Sequence, residues 1–264
     1  MRGGVTIPPR MSTSVVDPPS NCANCGAALQ GTYCAYCGQK VAPLNPAFGE
    51  FLHELFHEIA HVDGKIVATL RLLITKPGFL SLEYFEGRRA RYVAPIRLYL
   101  LLSVLCFGAT AIAPDTGFRL SCRSCPAEIR AEREREMGEA LPHWAPRAMF
   151  VLVPVFAGLV ALAARRSGRH YPEHLYFAMH VHSAWFFAGI VWAAAGFLTL
   201  PYVHLATGLL LALYCGTYFS RAFRRVYHTG LIRAILSTAA ISVTYVVCVL
   251  AALLAILLPV ALRR

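Results

Sequence analysis

IRAILSTAAISVTYVVCVLAALLAILLPVAL, the stretch Ile232 to Leu262, carries one charged residue, Arg233. Wound as a helix at 1.5 Å per residue it would reach about 46 Å, beyond the roughly 30 Å of a bilayer's hydrocarbon. It is long enough to cross with tilt or to protrude. Four further apolar blocks precede it: Tyr92 to Ala113, Arg147 to Ala164, His174 to Leu200 and Val203 to Phe219. Each approaches the roughly 20 residues that a spanning helix needs. Only Pro201-Tyr202 separates the third from the fourth, which leaves a hairpin of full helices and a shallower re-entrant pair both open. The expected fold is an all-α polytopic membrane protein with about five transmembrane helices and a small N-terminal zinc ribbon built on four cysteines.

Composition points the same way. Hydrophobic residues make up 57% of the chain and charged ones 15%, well under the roughly 25% that coats a soluble domain. Twenty-five Lys and Arg stand against 14 Asp and Glu. The basic residues cluster beside the apolar blocks, which fits membrane lipids with anionic headgroups, and no nucleic acid partner is expected. Arg88, Arg89 and Arg91 precede the first block. Arg165, Arg166 and Arg169 follow the second, and Arg221, Arg224 and Arg225 follow the fourth. With five crossings these clusters fall on one side, which the positive-inside rule makes cytoplasmic. A multi-pass protein of a bacterial inner membrane follows, its N-terminus cytoplasmic and its C-terminus outside, although Arg263 and Arg264 oppose that polarity.

The chain divides into a leader (1–20), a ribbon (21–40), amphipathic membrane-surface helices (46–91) and a transmembrane helical domain (92–264). The leader lacks the apolar core of a signal peptide and is expected to be disordered, leaving the first spanning helix as the insertion signal. In the surface region, Phe48, Phe51, Leu52, Leu55, Phe56, Ile59 and Val62 follow helical spacing. Ile66, Leu70, Leu73 and Ile74 form a second amphipathic stretch that Pro77-Gly78 ends. Both are expected to lie along the membrane.

The ribbon carries the clearest chemistry. Cys22-Ala-Asn-Cys25-Gly and Cys34-Ala-Tyr-Cys37-Gly form two CxxC knuckles, and the glycine after each lets a tight turn close. Four thiolates at this spacing suit tetrahedral Zn²⁺ and leave no open coordination position, so the metal folds the ribbon and does no catalysis. Two disulfides or an iron site are the alternatives. Cys122 and Cys125 form an external CxxC for which a disulfide is weighed.

Two other histidine groupings bear on catalysis. His53-Glu54-Leu55-Phe56-His57 matches HExxH, in which two helical histidines share a zinc and the glutamate activates water. No third ligand stands out, and the flanking Glu50, Glu58 and His61 make a merely solvated face the competing reading. His180 and His182 sit within the third apolar block, where ionisable groups mark a site by default. They project about 200° apart on a helix and cannot chelate one metal together. Neutral histidines bonded between helices are the alternative. Arg88, Arg89, Arg91 and Arg97 are the candidate headgroup-binding residues, since guanidinium offers phosphate a planar pair of donors.

Several motifs resemble an uncharacterised bacterial membrane-protein family with an N-terminal zinc ribbon, the domain of unknown function 3667. They are Cys34-Ala-Tyr-Cys37-Gly38-Gln39-Lys40, Asp63-Gly64, Thr69-Leu70-Arg71-Leu72-Leu73, Lys76-Pro77-Gly78, and Tyr84-Phe85-Glu86-Gly87-Arg88-Arg89-Ala90-Arg91-Tyr92-Val93-Ala94-Pro95. Tyr171 to His182 is similar to the family's central stretch. The resemblance implies a ribbon-bearing, multi-helix membrane protein and no reaction. HExxH and the external CxxC stand outside the family pattern. The expected function is a non-catalytic protein whose ribbon and basic segment engage a protein partner or lipid headgroups. The alternative is a membrane-embedded metal-dependent enzyme acting on lipid or peptide through His53, Glu54 and His57 or through His180 or His182.

Overall fold

The computed structural model describes residues 20–41, 65–113, 127–198 and 201–262. Among them are seven helices: α1 (Lys65–Thr75), α2 (Phe79–Phe85), α3 (Pro95–Ile112), α4 (Ala127–Ala163), α5 (Tyr171–Ala195), α6 (Pro201–Tyr227) and α7 (Leu231–Leu262). Five contain a stretch long and apolar enough to cross a membrane: Pro95–Ile112, Trp144–Ala163, Tyr171–Ala195, Tyr202–Tyr227 and Leu231–Ile256. The third and fourth spans are full-length helices, so the hairpin form of that pair is the one realised. HExxH (His53, Glu54, His57), Cys122, Cys125 and the Phe48 to Val62 stripe lie outside the described residues.

Two boundaries differ from those expected. Helix α4 begins at Ala127, immediately after Pro126, and runs well ahead of the apolar block at Arg147. The sequence there, AEIRAEREREM, consists mostly of strong helix formers, so nothing ends the helix at the edge of the apolar block. Helix α6 likewise continues past Phe219 to Tyr227. Arg221, Arg224 and Arg225 therefore stand on its last turns, where cations favour the negative end of the helix dipole.

Helix α5 lies at the centre, packed against α3, α4 and α6 and touched by α1 and α2. Its start is well determined. Pro172 occupies the first turn, where a missing N–H costs nothing, and Glu173 accepts the His170 backbone N–H at 2.8 Å. Apolar residues on all sides, including Phe177, Ala178, Val181 and Ala184, are fully buried. Inside a membrane, lipid matches the core in polarity, so helix association relies on close packing at small residues. Gly189 is such a place: a Cβ there would meet the Cys106 Sγ of α3 at 2.8 Å.

Helices α1 and α2 do not lie free. Leu73 and Thr69 of α1, and Leu80, Ser81 and Phe85 of α2, are buried against the bundle. The Thr69 hydroxyl donates to the Lys65 carbonyl at 2.8 Å and accepts the Val93 N–H at 3.1 Å, which ties α1 to the entry of α3. Gly78, at φ 76°, turns the chain between α1 and α2. A Cβ there would also strike the Ala222 carbonyl of α6 at 2.9 Å, so two separate constraints require glycine.

Candidate metal centre and basic segment

Each knuckle of the ribbon closes in the same way. The Gly26 N–H donates to the Cys22 carbonyl at 2.8 Å, and the Gly38 N–H to the Cys34 carbonyl at 2.9 Å. Both glycines take left-handed conformations, φ 77° and 71°. Antiparallel bridges pair Asn21 with Ala28 and Tyr33 with Lys40, so each CxxC sits at the tip of a small hairpin. The four sulfurs of Cys22, Cys25, Cys34 and Cys37 converge within 4.8 Å of one another. Cys22 and Cys37 sulfurs stand 3.6 Å apart, and those of Cys25 and Cys34 stand 3.5 Å apart. A disulfide needs about 2.05 Å. Tetrahedral metal–sulfur bonds of about 2.3 Å give sulfur–sulfur edges of about 3.8 Å, close to what is seen.

The local electrostatics also suit a cation. The Asn24 amide, then the Gln39 backbone N–H, hold the Cys37 thiol down at about 6. Backbone N–H groups of Cys37 and Tyr36 lower the Cys34 thiol. Cys25 moves the other way, up to about 12: the Ala27 N–H lowers it, but burial and the neighbouring sulfurs outweigh that bond. Several thiolates this close repel one another until a cation sits among them. Among the described residues, this is the one group of three or more histidine, cysteine or carboxylate side chains close enough to hold a metal ion.

The ribbon rests on the basic segment before α3. Gln39 makes the joint: its amide donates to the Gly87 carbonyl at 2.7 Å, and its oxygen accepts the N–H groups of Arg89 and Ala90, each at 3.1 Å. Arg91 donates to the Asn24 carbonyl at 3.3 Å. A Cβ on Gly87 would come within 3.0 Å of the Ala23 methyl, so the two surfaces touch. Arg88 forms a fork with Glu83, one arm at 2.8 Å, and also pairs with Glu86. Arg89 lies over the Tyr84 ring at 4.7 Å. Arg97 is the third residue of α3, within its first turn, and so sits nearer the helix end than its distance from Tyr92 implied.

The other arginine clusters reach this same end of the bundle. Arg169 donates to the Val226 carbonyl at 3.3 Å, lies 4.6 Å over the Phe85 ring and pairs with Glu173 at 2.8 Å. Arg225 donates to the Pro77 carbonyl at 3.1 Å.

The membrane histidines are spread out. His180 Nδ1 lies 3.0 Å from the Ser81 hydroxyl of α2. His182 turns the opposite way: Nδ1 donates to the Ala178 carbonyl at 2.8 Å, which makes Nε2 the acceptor for the Tyr245 hydroxyl of α7, also at 2.8 Å. His174 meets the Tyr227 hydroxyl at 2.8 Å. Each partner stands on a different helix, so the three rings join helices without converging. Sequence reasoning missed the partners Ser81, Tyr227 and Tyr245, since serine and tyrosine in apolar helices carry no signal of their own.

Fold and site together define a helical protein of membrane type, with five bilayer-length helices and a four-cysteine site compatible with a metal ion. Residues 63–107 match the model of a protein family of unknown function, DUF3667. That match spans α1, α2, the arginine segment and most of α3, and leaves the ribbon and the His174–His182 stretch outside it. No curated protein and no solved structure matches the chain.

Proposed function

We propose that the protein is a non-catalytic, inner-membrane binding protein, in which a zinc-folded cytoplasmic ribbon holds a basic segment against anionic lipid headgroups. The observation that carries this reading is the Gln39 joint, which fixes the backbone of Arg89 and Ala90 to the ribbon. In this reading zinc is structural, because four sulfurs complete a tetrahedron and leave no position for substrate. Arg89 and Arg97 are the residues assigned to the headgroup, with Arg88 forked onto Glu83 and Arg91 positioning the ribbon. Tyr33 and Tyr36, 60% and 85% exposed on the ribbon, favour a protein partner as a second reading.

The histidines support the non-catalytic reading, since His174, His180 and His182 each spend a ring nitrogen on a residue of another helix. Native mass spectrometry of the wild type beside an Arg89→Gln, Arg97→Gln double variant tests headgroup binding. Anionic lipid adducts should fall in the variant while ribbon zinc is kept. Equal adducts in both would leave these arginines as orientation signals alone.

A further inference from the structure

Where the arginine clusters meet, a cavity of about 740 Å³ opens between the Thr75–Pro77 turn and the last turns of α6. Arg221, Arg224 and Arg225 follow at i, i+3 and i+4 and so form a single stripe along its wall, and His228, just past the helix end, lines it too. Lys76 joins them from the turn, and among the described residues no aspartate or glutamate lines the space. The volume is that of a small-ligand site.

Four fixed cations and a histidine repel one another across such a space. The α6 carboxyl end offers only about half a negative charge against them. The walls are held in place by Arg225 on the Pro77 carbonyl at 3.1 Å and by the close approach of Gly78 to Ala222. Thr229 lines the cavity, and its hydroxyl oxygen, tucked just beneath the surface, has no hydrogen-bond partner. Rotation about its χ1 bond would turn that unpaired hydroxyl toward a ligand oxygen in the cavity. His228 adopts φ 48°, an uncommon conformation for a residue other than glycine, at the point where the chain turns to bring Thr229 to the wall.

We propose that this cavity binds a phosphomonoester anion, paired by Arg221 and Arg224 and hydrogen-bonded by Thr229. Orienting a membrane protein asks only for basic charge near the bilayer. It requires no acid-free cleft with an unpaired hydroxyl in its lining. Phosphate shared between guanidinium forks uses both. The phosphate arrives either on a lipid headgroup or on a free soluble compound. The apolar Pro77 and Leu82 beside the cations suit either a lipid's glycerol backbone or the carbon skeleton of a small phosphate ester.

The test uses the full chain in detergent, with phosphatidic acid, phosphatidylglycerol and glycerol 3-phosphate as probes. Native mass spectrometry follows lipid adducts, and calorimetry follows the soluble ester. Wild type should prefer phosphatidic acid to phosphatidylglycerol, and Arg221→Gln, Arg224→Gln should lower its retention about 25-fold. Thr229→Val, which leaves charge and topology alone, should lower it several-fold. Tight glycerol 3-phosphate binding that the same variants abolish would support the site and make the soluble ester its source. Phosphatidic acid retention with no response to glycerol 3-phosphate would support it and make lipid the source. Equal binding of both phosphate probes by wild type and variants would overturn the site. So would an equal loss of phosphatidic acid and phosphatidylglycerol with Thr229→Val unchanged, which marks a diffuse basic surface. Arg89→Gln, Arg97→Gln serves as the comparison: it removes the headgroup site proposed above and should leave this preference intact, so the two proposals fail separately.

Discussion

The Gln39 side chain spans 48 positions of sequence to donate to the Gly87 carbonyl at 2.7 Å, and its oxygen accepts the backbone N–H groups of Arg89 and Ala90. One amide side chain thereby joins the ribbon to the loop that carries the arginines.

Replacing Gln39 with alanine should release that loop without disturbing the sulfurs. Amide hydrogen exchange at Arg89 and Ala90 should speed up by about fivefold, since each lost bond contributes about 1 kcal/mol. Bound metal should stay at its wild-type level. Unchanged exchange at both amides would show that the joint bears no weight.

The ribbon should carry one zinc per chain. Cys34→Ser removes one of four ligands and should release the metal, read by elemental analysis of purified protein, while the helical signal persists. The helices depend on packing around α5 and not on the ribbon. Full zinc retained in the variant would contradict the assignment. Iron in the wild type would correct the metal and leave the ligand set standing.

Tyr245→Phe should cost about 1 kcal/mol, the scale of an interhelical hydrogen bond in a membrane protein. It leaves His182 Nε2 buried without its donor, beside the Phe156 ring at 4.9 Å. Pairing it with His182→Phe should recover part of the loss, because the unpaired nitrogen is then gone too. A double-mutant cycle in mild detergent measures this, and strict additivity would deny the coupling.

Topology is checked with reporters. A fusion after Ala164 should report cytoplasm, and one near Ala131 the outer side. The reverse pattern would invert the proposed orientation and place the ribbon cysteines in an oxidising compartment.

The number of bilayer-length helices and the four cysteines that converge were both legible in the chain, for local reasons. Apolar blocks of bilayer length need only counting, and a CxxC knuckle closes within a handful of residues. Helix ends were less legible. AEIRAEREREM continues α4 because its residues favour helix wherever they stand, and a hydropathy reading looks only for the apolar edge. The opposed directions of His180 and His182 also followed from helical periodicity, since positions two apart diverge in any α-helix.

What periodicity left open was the partner each residue faces. Ser81 meets His180 across 99 positions, and Tyr245 meets His182 across 63. Arg221, Arg224 and Arg225 read as orientation signals until the Thr75–Pro77 turn is seen to line an open cavity with them. Bilayer length, helical stripe and knuckle spacing are properties of neighbours along the chain, so the sequence by itself determined them. Which stripe meets which depends on close packing among helices whose surfaces are almost equally apolar, and only the tertiary structure decided that.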